Sequence, residues 1–214
     1  MKDRSASAKV GVVIYDGVEP IDIGGTVGVL SMATRLLPGL ETAIVAEESG
    51  PVRLAGGLTV IAQHGFAQAP LCDLVIVCGG PGWREQVVSP AMLDYLRTND
   101  PHRLASVCTG ALILAAAGLL DGRTATTRRT AVDGETDAPI VLLSRYGKNT
   151  NAVGAVVVDA GIVTGGGVSL AIDTTLYLLG RIYGDDTRDD VARIIEYDRA
   201  YAANQAALPL IRAT

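Results

Sequence analysis

Residues 104–122 read LASVCTGALILAAAGLLDG: a short apolar run, a cysteine, then a long series of small and aliphatic residues. Leu104–Val107 has the length and composition of a buried strand, and Thr109–Leu120 those of a helix. Cys108 therefore stands at a strand-to-helix junction. Working outward, the same alternation recurs. Val10–Tyr15 (VGVVIY), Thr42–Ala46 (TAIVA) and Leu74–Cys78 (LVIVC) are β-branched runs of the kind buried on both faces of a parallel sheet. Between and after them, helices are predicted over Ile23–Leu37, Pro90–Thr98, Thr130–Tyr146 (interrupted at Pro139), Val168–Tyr183 and Asp190–Tyr197. Hairpins are expected at Val52–Ala62, around Gly56-Gly57, and where Asp159-Ala160-Gly161 separates Ala155–Val158 from Ile162–Thr164. This order predicts an α/β fold, a mainly parallel sheet with helices on both faces, as one domain over residues 1–214.

Composition narrows the functional classes. The 214 residues are 49% hydrophobic, which supplies a large core without disulfides or metal. A net charge of −5 with no basic stripe argues against nucleic acid as a partner, and 4% aromatic residues leave little for base stacking. No apolar run approaches the roughly 18 residues that span a bilayer, and the N-terminus MKDRSASAKV lacks a signal-peptide core. A cytoplasmic protein with no membrane partner is expected. Cys72, Cys78 and Cys108 lack the Cys-x-x-Cys spacing of a zinc or redox site, so no metal is expected and the thiols are read as reduced.

Ligands of open α/β sheets bind beyond the carboxyl ends of the strands. Three segments fall there: Glu19–Asp22 after the first strand, Gly79-Gly80-Pro81-Gly82 after the strand ending at Cys78, and Cys108-Thr109-Gly110. A thiol at a helix N-terminus gains from free amides and the macrodipole, which together lower its pKa. The Thr109 amide is also placed to hold a developing anion. Cys108 alternatively packs as a small buried hydrophobe, as most cysteines do, and Asp22 alternatively caps a helix. Cys72 and Cys78 read as structural. Of the two histidines, His102 precedes the strand leading to Cys108 and His64 ends a hairpin, so neither is a natural base for the thiol. If Cys108 does chemistry, Asp22 is the candidate proton partner.

The segments VVIYDGVEPIDIGGTVGVL, DLVIVCGGPG, SVCTGALILAAAGLLDGRTATT, GIVTGGGVSLAIDTTLYLL and IIEYD together resemble the ThiJ/PfpI superfamily, class I glutamine amidotransferase-like. The resemblance implies a flavodoxin-like fold with the cysteine on a nucleophile elbow, and it covers nearly the whole chain. Ser-Val-Cys-Thr-Gly, with an Asp-x-x-Gly segment after the first strand, is similar to a branch that includes isonitrile hydratases and sensor domains of AraC-type regulators. That branch implies Cys108 as nucleophile, Asp22 as acid/base and Thr109 as a catalytic neighbour. Gly79, Gly80, Gly110 and Gly166 are the implied substrate-binding positions. It also implies a small-molecule substrate, no cofactor, and a homodimer.

The alternatives are a non-catalytic sensing domain and a glyoxalase- or deglycase-type stress enzyme. A sensor acting on DNA would need a further helix-turn-helix tail, and only about 16 residues follow Asp198. Two departures stand out. Thr126-Thr127-Arg128-Arg129 replaces the branch's Thr-Thr-His-Trp, which weakens histidine-assisted chemistry and places two cations, either in a solvated loop or facing an anionic substrate. Asp22-Ile23-Gly24-Gly25-Thr26 lacks the branch's proline, which is expected to loosen the helix start. Gly165-Gly166-Gly167 marks either a flexible wall or close backbone packing.

Overall fold

The computed structural model describes residues 1–132 and 134–213. Eight strands form the central sheet: β1 (Ala8–Val13), β2 (Leu40–Ala46), β3 (His64–Gly65), β4 (Leu74–Val77), β5 (Leu104–Ser106), β6 (Val157–Asp159), β7 (Val163–Gly165) and β8 (Leu210–Arg212). Their order across the sheet is β8-β6-β7-β5-β4-β1-β2-β3. Neighbours from β3 through to β7 pair in parallel, whereas β6 runs antiparallel to β7 and parallel to β8. The sheet is thus flavodoxin-like and mainly parallel, with helices packed around it. In β1 and β4 the sequence has no polar/apolar alternation because both faces are covered: Val10, Val12, Val13, Ile76 and Val77 are all fully buried.

This strand order locates the site. From β1 the chain builds outward through β2 to β3, then returns to lay β4 on the other side of β1, followed by β5. The direction of build-up reverses between β1 and β4, and a crevice opens at such a reversal beyond the strand ends. The loops after β1, β4 and β5 all emerge there.

The predicted helices shift in ways that have local causes. The first begins at Pro20, whose fixed φ suits an N-terminal turn, and runs to Ala33 through a π-helical stretch over Gly24–Gly28. Asp22 consequently lies inside the first turn, while Glu19 holds the cap position, which corrects the reading of Asp22 as a cap. The helix after Cys108 is the short Gly110–Ala116. Thr130–Ala138 contains no described helix, and helix starts only at Pro139, running to Tyr146, because proline is tolerated in a first turn and not in an interior. Val168–Leu170 is a 3-10 turn leading into the helix Ala171–Tyr183. The C-terminal part holds two helices, Asp185–Ile194 and Asp198–Ala207, in place of the single predicted one. Strands β3 (His64–Gly65) and β8 (Leu210–Arg212) lie outside the strands read from the sequence; they join the sheet at its two edges, beside β2 and β6. Both hairpins form, Gly50–Arg53 with Thr59–Ala62 and β6 with β7. No described helix is long and apolar enough to cross a membrane.

Candidate active site

Cys108 adopts φ +51, in the left-handed region that side chains other than glycine seldom occupy, at a cost of about 1–3 kcal/mol. Three contacts hold it there. Its N–H donates to the Gly166 carbonyl (3.1 Å), its own carbonyl accepts from Thr127 Oγ1 (2.6 Å), and the Val107 N–H donates to Val77 O (3.0 Å). Gly110 lets the helix start rest against β4, since a Cβ there would lie 2.2 Å from the Val77 carbonyl oxygen. A Cβ on Gly79 would likewise lie 2.5 Å from the Thr109 nitrogen. The result is an elbow that directs the thiol into the crevice with only 3% of the residue exposed.

Asp22 reaches the same place from the first turn of the helix that follows β1 and is fully buried. Its Oδ2 accepts the Gly79 N–H at 2.8 Å, across 57 residues of sequence. Its Oδ1 is buried without a hydrogen-bond partner among the described residues. The Cys108 thiol lies close enough to this carboxylate to favour its ionised form. Loss of the branch's proline has not cast the carboxylate adrift. The π-helical turn packs Gly25 against Ala171, where a Cβ would be 2.7 Å away, and the Gly25 carbonyl accepts from Thr175 Oγ1 (2.8 Å).

Burial dominates the electrostatics. It pushes the Asp22 carboxyl up to about 7; the nearby Glu19 charge adds to this, while the Gly79 N–H, Cys108 and Arg128 oppose it. Burial, with the Asp22 charge, pushes the Cys108 thiol up to about 12. This corrects the expectation of a thiol acidified by the helix. The Thr109 and Val168 amides and the Arg128 charge do favour the thiolate, but taking the sulfur out of water outweighs them. A buried tyrosine stands beneath the site: Tyr15 Oη donates to the Cys78 carbonyl (3.0 Å), and Thr109 Oγ1 accepts the Gly80 N–H (2.9 Å).

Above Cys108 opens a cavity of about 500 Å³. Gly80, Cys108 and Thr109 form its floor, Trp83 and Val168 supply apolar wall, and Glu19, Arg84, Arg128 and Glu135 bring charge. Of the implied substrate-binding glycines only Gly80 lines it. Gly79, Gly110 and Gly166 stand behind, orienting Asp22 and the elbow. The glycine run at 165–167 is close packing rather than a flexible wall: a Cβ on Gly165 would lie 2.0 Å from Thr174 Oγ1, and one on Gly167 2.5 Å from Arg128 Cβ. Arg128 does not lie in a solvated loop; it pairs with Glu135 at the cavity wall.

His102 sits in a turn at the amino end of β5, opposite the end bearing Cys108, and His64 lies in edge strand β3. Neither lines the cavity. Cys72 and Cys78 are buried and unpaired; the Cys72 sulfur packs against Gly11, and burial pushes the Cys78 thiol far up. Among the described residues no three His, Cys, Asp or Glu side chains converge as metal ligands. Sequence reasoning missed Val168, Tyr15, Trp83 and Glu135: Tyr15 and Val168 lie in segments that carry the family resemblance but were given no role, and Trp83 and Glu135 belong to no motif.

A profile of the DJ-1/PfpI family matches residues 8–180, a stretch that includes β1 through β7 and the elbow. The chain belongs to the DJ-1/PfpI family. Within it, the isonitrile hydratase of Pseudomonas putida is 31% identical over 191 residues, 88% of this chain and 78% of that protein. The HTH-type transcriptional regulator GbdR of Pseudomonas aeruginosa is 27% identical over 194 residues; they cover 89% of this chain but only 51% of that protein. Among solved structures, a ThiJ/PfpI family protein from Pseudomonas syringae superimposes with a TM-score of 0.77 at 26% identity, over 91% of this chain and 76% of that one. The DJ-1/PfpI family thus includes both a hydratase and regulators among the relatives of this chain, and the choice between them rests on the site.

Proposed function

We propose that this protein is a cysteine-dependent hydratase that converts isonitriles to N-substituted formamides. The observation that carries the reading is the Cys108 thiol on the cavity floor with the buried Asp22 carboxylate behind it, one of whose oxygens has no partner among the described residues. Asp173 also keeps a buried oxygen without a partner, so what distinguishes Asp22 is the thiol beside it, which gives the carboxylate a proton to carry. The 31% identity to the hydratase supports the same reading.

The chemistry follows from the two shifted groups. Near neutral pH the proton resides on sulfur, while Asp22 divides between its two forms. As Sγ bonds to the terminal isonitrile carbon, its proton passes to Asp22, which delivers it to that same carbon. A thioimidate, R–N=CH–S–Cys108, results. Asp22 then draws a proton from water as the hydroxide adds to the thioimidate carbon, and returns that proton to nitrogen. Collapse forms the C=O bond and breaks C–S; the hydroxyl proton returns through Asp22 to sulfur. Net, one water is added and both residues are restored. The Thr109 and Val168 amides favour negative charge on the departing sulfur. Substrate enters as a neutral small molecule, with its substituent against Trp83 and Val168.

The test is formamide production from a panel of alkyl and aryl isonitriles, with Cys108→Ala alongside. Turnover that vanishes in the variant is expected; turnover retained in it overturns the mechanism, and none in the wild type overturns the activity. The regulator relatives favour a second reading, a sensing domain whose ligand leaves unchanged; a tight ligand recovered intact from the protein would support it. Glyoxalase chemistry fits less well, since no histidine lines the cavity, and lactate formation from methylglyoxal tests it. A cytoplasmic homodimer is part of the leading reading. Sedimentation equilibrium measures the oligomeric state.

A further inference from the structure

Arg128 follows the buried Thr126-Thr127 pair, and the structure gives it a defined setting. Thr127, its chain neighbour, holds the Cys108 carbonyl. The Arg128 backbone and stem pack on Gly167, its carbonyl accepts the Ile140 N–H (3.1 Å), and its Nη1 donates to the Thr130 carbonyl. Its Nη2 donates to Glu135 Oε1 at 2.6 Å, and the two side chains are only 12% and 8% exposed. Glu135 is fixed in turn, with Oε2 accepting the Val132 N–H (3.0 Å) and Arg84 lying 3.7 Å from Oε1. Arg128, Glu135 and Cys108 all line the one cavity. Water screens such a group poorly, so a charge added or removed there is felt at the nucleophile.

We propose that Glu135 sets how much of the Arg128 charge reaches Cys108, so that this ion pair governs the reactivity of the nucleophile. The inference rests on the reading of Cys108 as nucleophile, and its residues are positioning residues that act through Arg128. The groups that act on the thiol are Asp22 from the first helical turn after β1, the Thr109 and Val168 amides and Arg128, with the buried Tyr15 and Cys78 close by; Glu19 acts on Asp22. Among the described residues Arg128 is the cation in that set, while Arg84, also in the cavity lining, pairs with Glu135 at 3.7 Å. It favours the ionised form of both Cys108 and Asp22. Glu135 is ionised opposite it: burial raises its carboxyl, but the Arg128 and Val132 donors outweigh burial and hold it below the ordinary value.

The experiment is alkylation of the intact protein by iodoacetamide at pH 7, read at each cysteine by peptide mass spectrometry. Sulfur displaces iodide and the thiol proton leaves to solvent, so the rate follows the thiolate fraction. Glu135→Gln is expected to speed Cys108 alkylation by about tenfold, as one neutralised buried partner moves a pKa by about one unit. Arg128→Gln is expected to slow it by about tenfold, Arg128→Lys to stay near wild type, and Glu135→Gln to add nothing in the Arg128→Gln background. Glu135→Asp keeps the charge and is expected to stay within a factor of about two, which tests the idea even if Arg128→Gln folds poorly.

Three results would overturn it: no acceleration in Glu135→Gln, an equal acceleration in Glu135→Asp, or a matching rise at Cys78, which would mean the fold has opened. None of these readouts needs an isonitrile. Absence of hydratase turnover therefore leaves the tuning standing, and failure of the tuning leaves the hydratase standing.

Discussion

Asp22 and Asp173 are both fully buried, both keep an Oδ1 without a hydrogen-bond partner among the described residues, and burial raises both, to about 7 and about 6. Their surroundings differ. Asp173, on the helix Ala171–Tyr183, accepts from Tyr197 Oη (2.9 Å) and Asn204 Nδ2 (3.0 Å) and so ties the C-terminal helix to the body of the fold. Asp22 accepts one backbone amide, and beside it lie a thiol and a cavity. Burial and a raised pKa therefore do not by themselves mark a catalytic carboxylate. What separates the two is whether the neighbouring group has chemistry to do.

Activity gives the widest separation. Asp22→Asn is expected to lower kcat/KM for isonitrile hydration by about 10²–10⁴, the range of a positioned acid/base, while Asp173→Asn stays within about threefold. Steady-state kinetics on both variants decide it, and equal losses would break the distinction. Stability against pH comes next. A carboxyl raised on folding contributes stability that is fully present below its unfolded pKa and is lost as pH rises through its folded pKa.

For Asp22 that window runs from about 4 to about 7, and the loss is on the order of 3–4 kcal/mol. Asp22→Asn should therefore lose this pH dependence and outlast the wild type in urea at pH 8, though not at pH 4. For Asp173 the sign is the same, the window closes near 6, and the effect is smaller because two side-chain donors support the carboxylate. Within the wild type, kcat/KM should climb about tenfold per pH unit below about 7 and level off above, because the thiol–carboxylate pair must hold one proton rather than two. That limb should vanish in Asp22→Asn and remain in Asp173→Asn. The smallest effect is expected from Tyr197→Phe, which removes one donor from Asp173: a loss of about 1 kcal/mol in urea unfolding, with kcat/KM unchanged.

The two carboxylates were unequally legible. Asp22 follows a buried strand and precedes a glycine-rich turn, so its place at a strand end could be read, although its helix position could not. Asp173 lies in a run of aliphatic and threonine residues, and nothing nearby in the chain announces Tyr197 or Asn204. The helix expected over Thr130–Tyr146 failed for a related reason. Its first part packs through Arg128, Glu135 and the cavity wall, contacts that a periodic reading of the chain does not contain.

By itself the sequence determined the alternation of buried strands and helices, the junction at Cys108 and the family, because each depends on residues close in the chain. Only the tertiary structure decided that Asp22 meets Gly79 and Cys108, that the thiol is held up rather than acidified, and that Arg128 is held by Glu135. The physical reason is that protonation depends on exclusion from water and on neighbours across the sheet. Those are set by strand order and packing, which local spacing does not record.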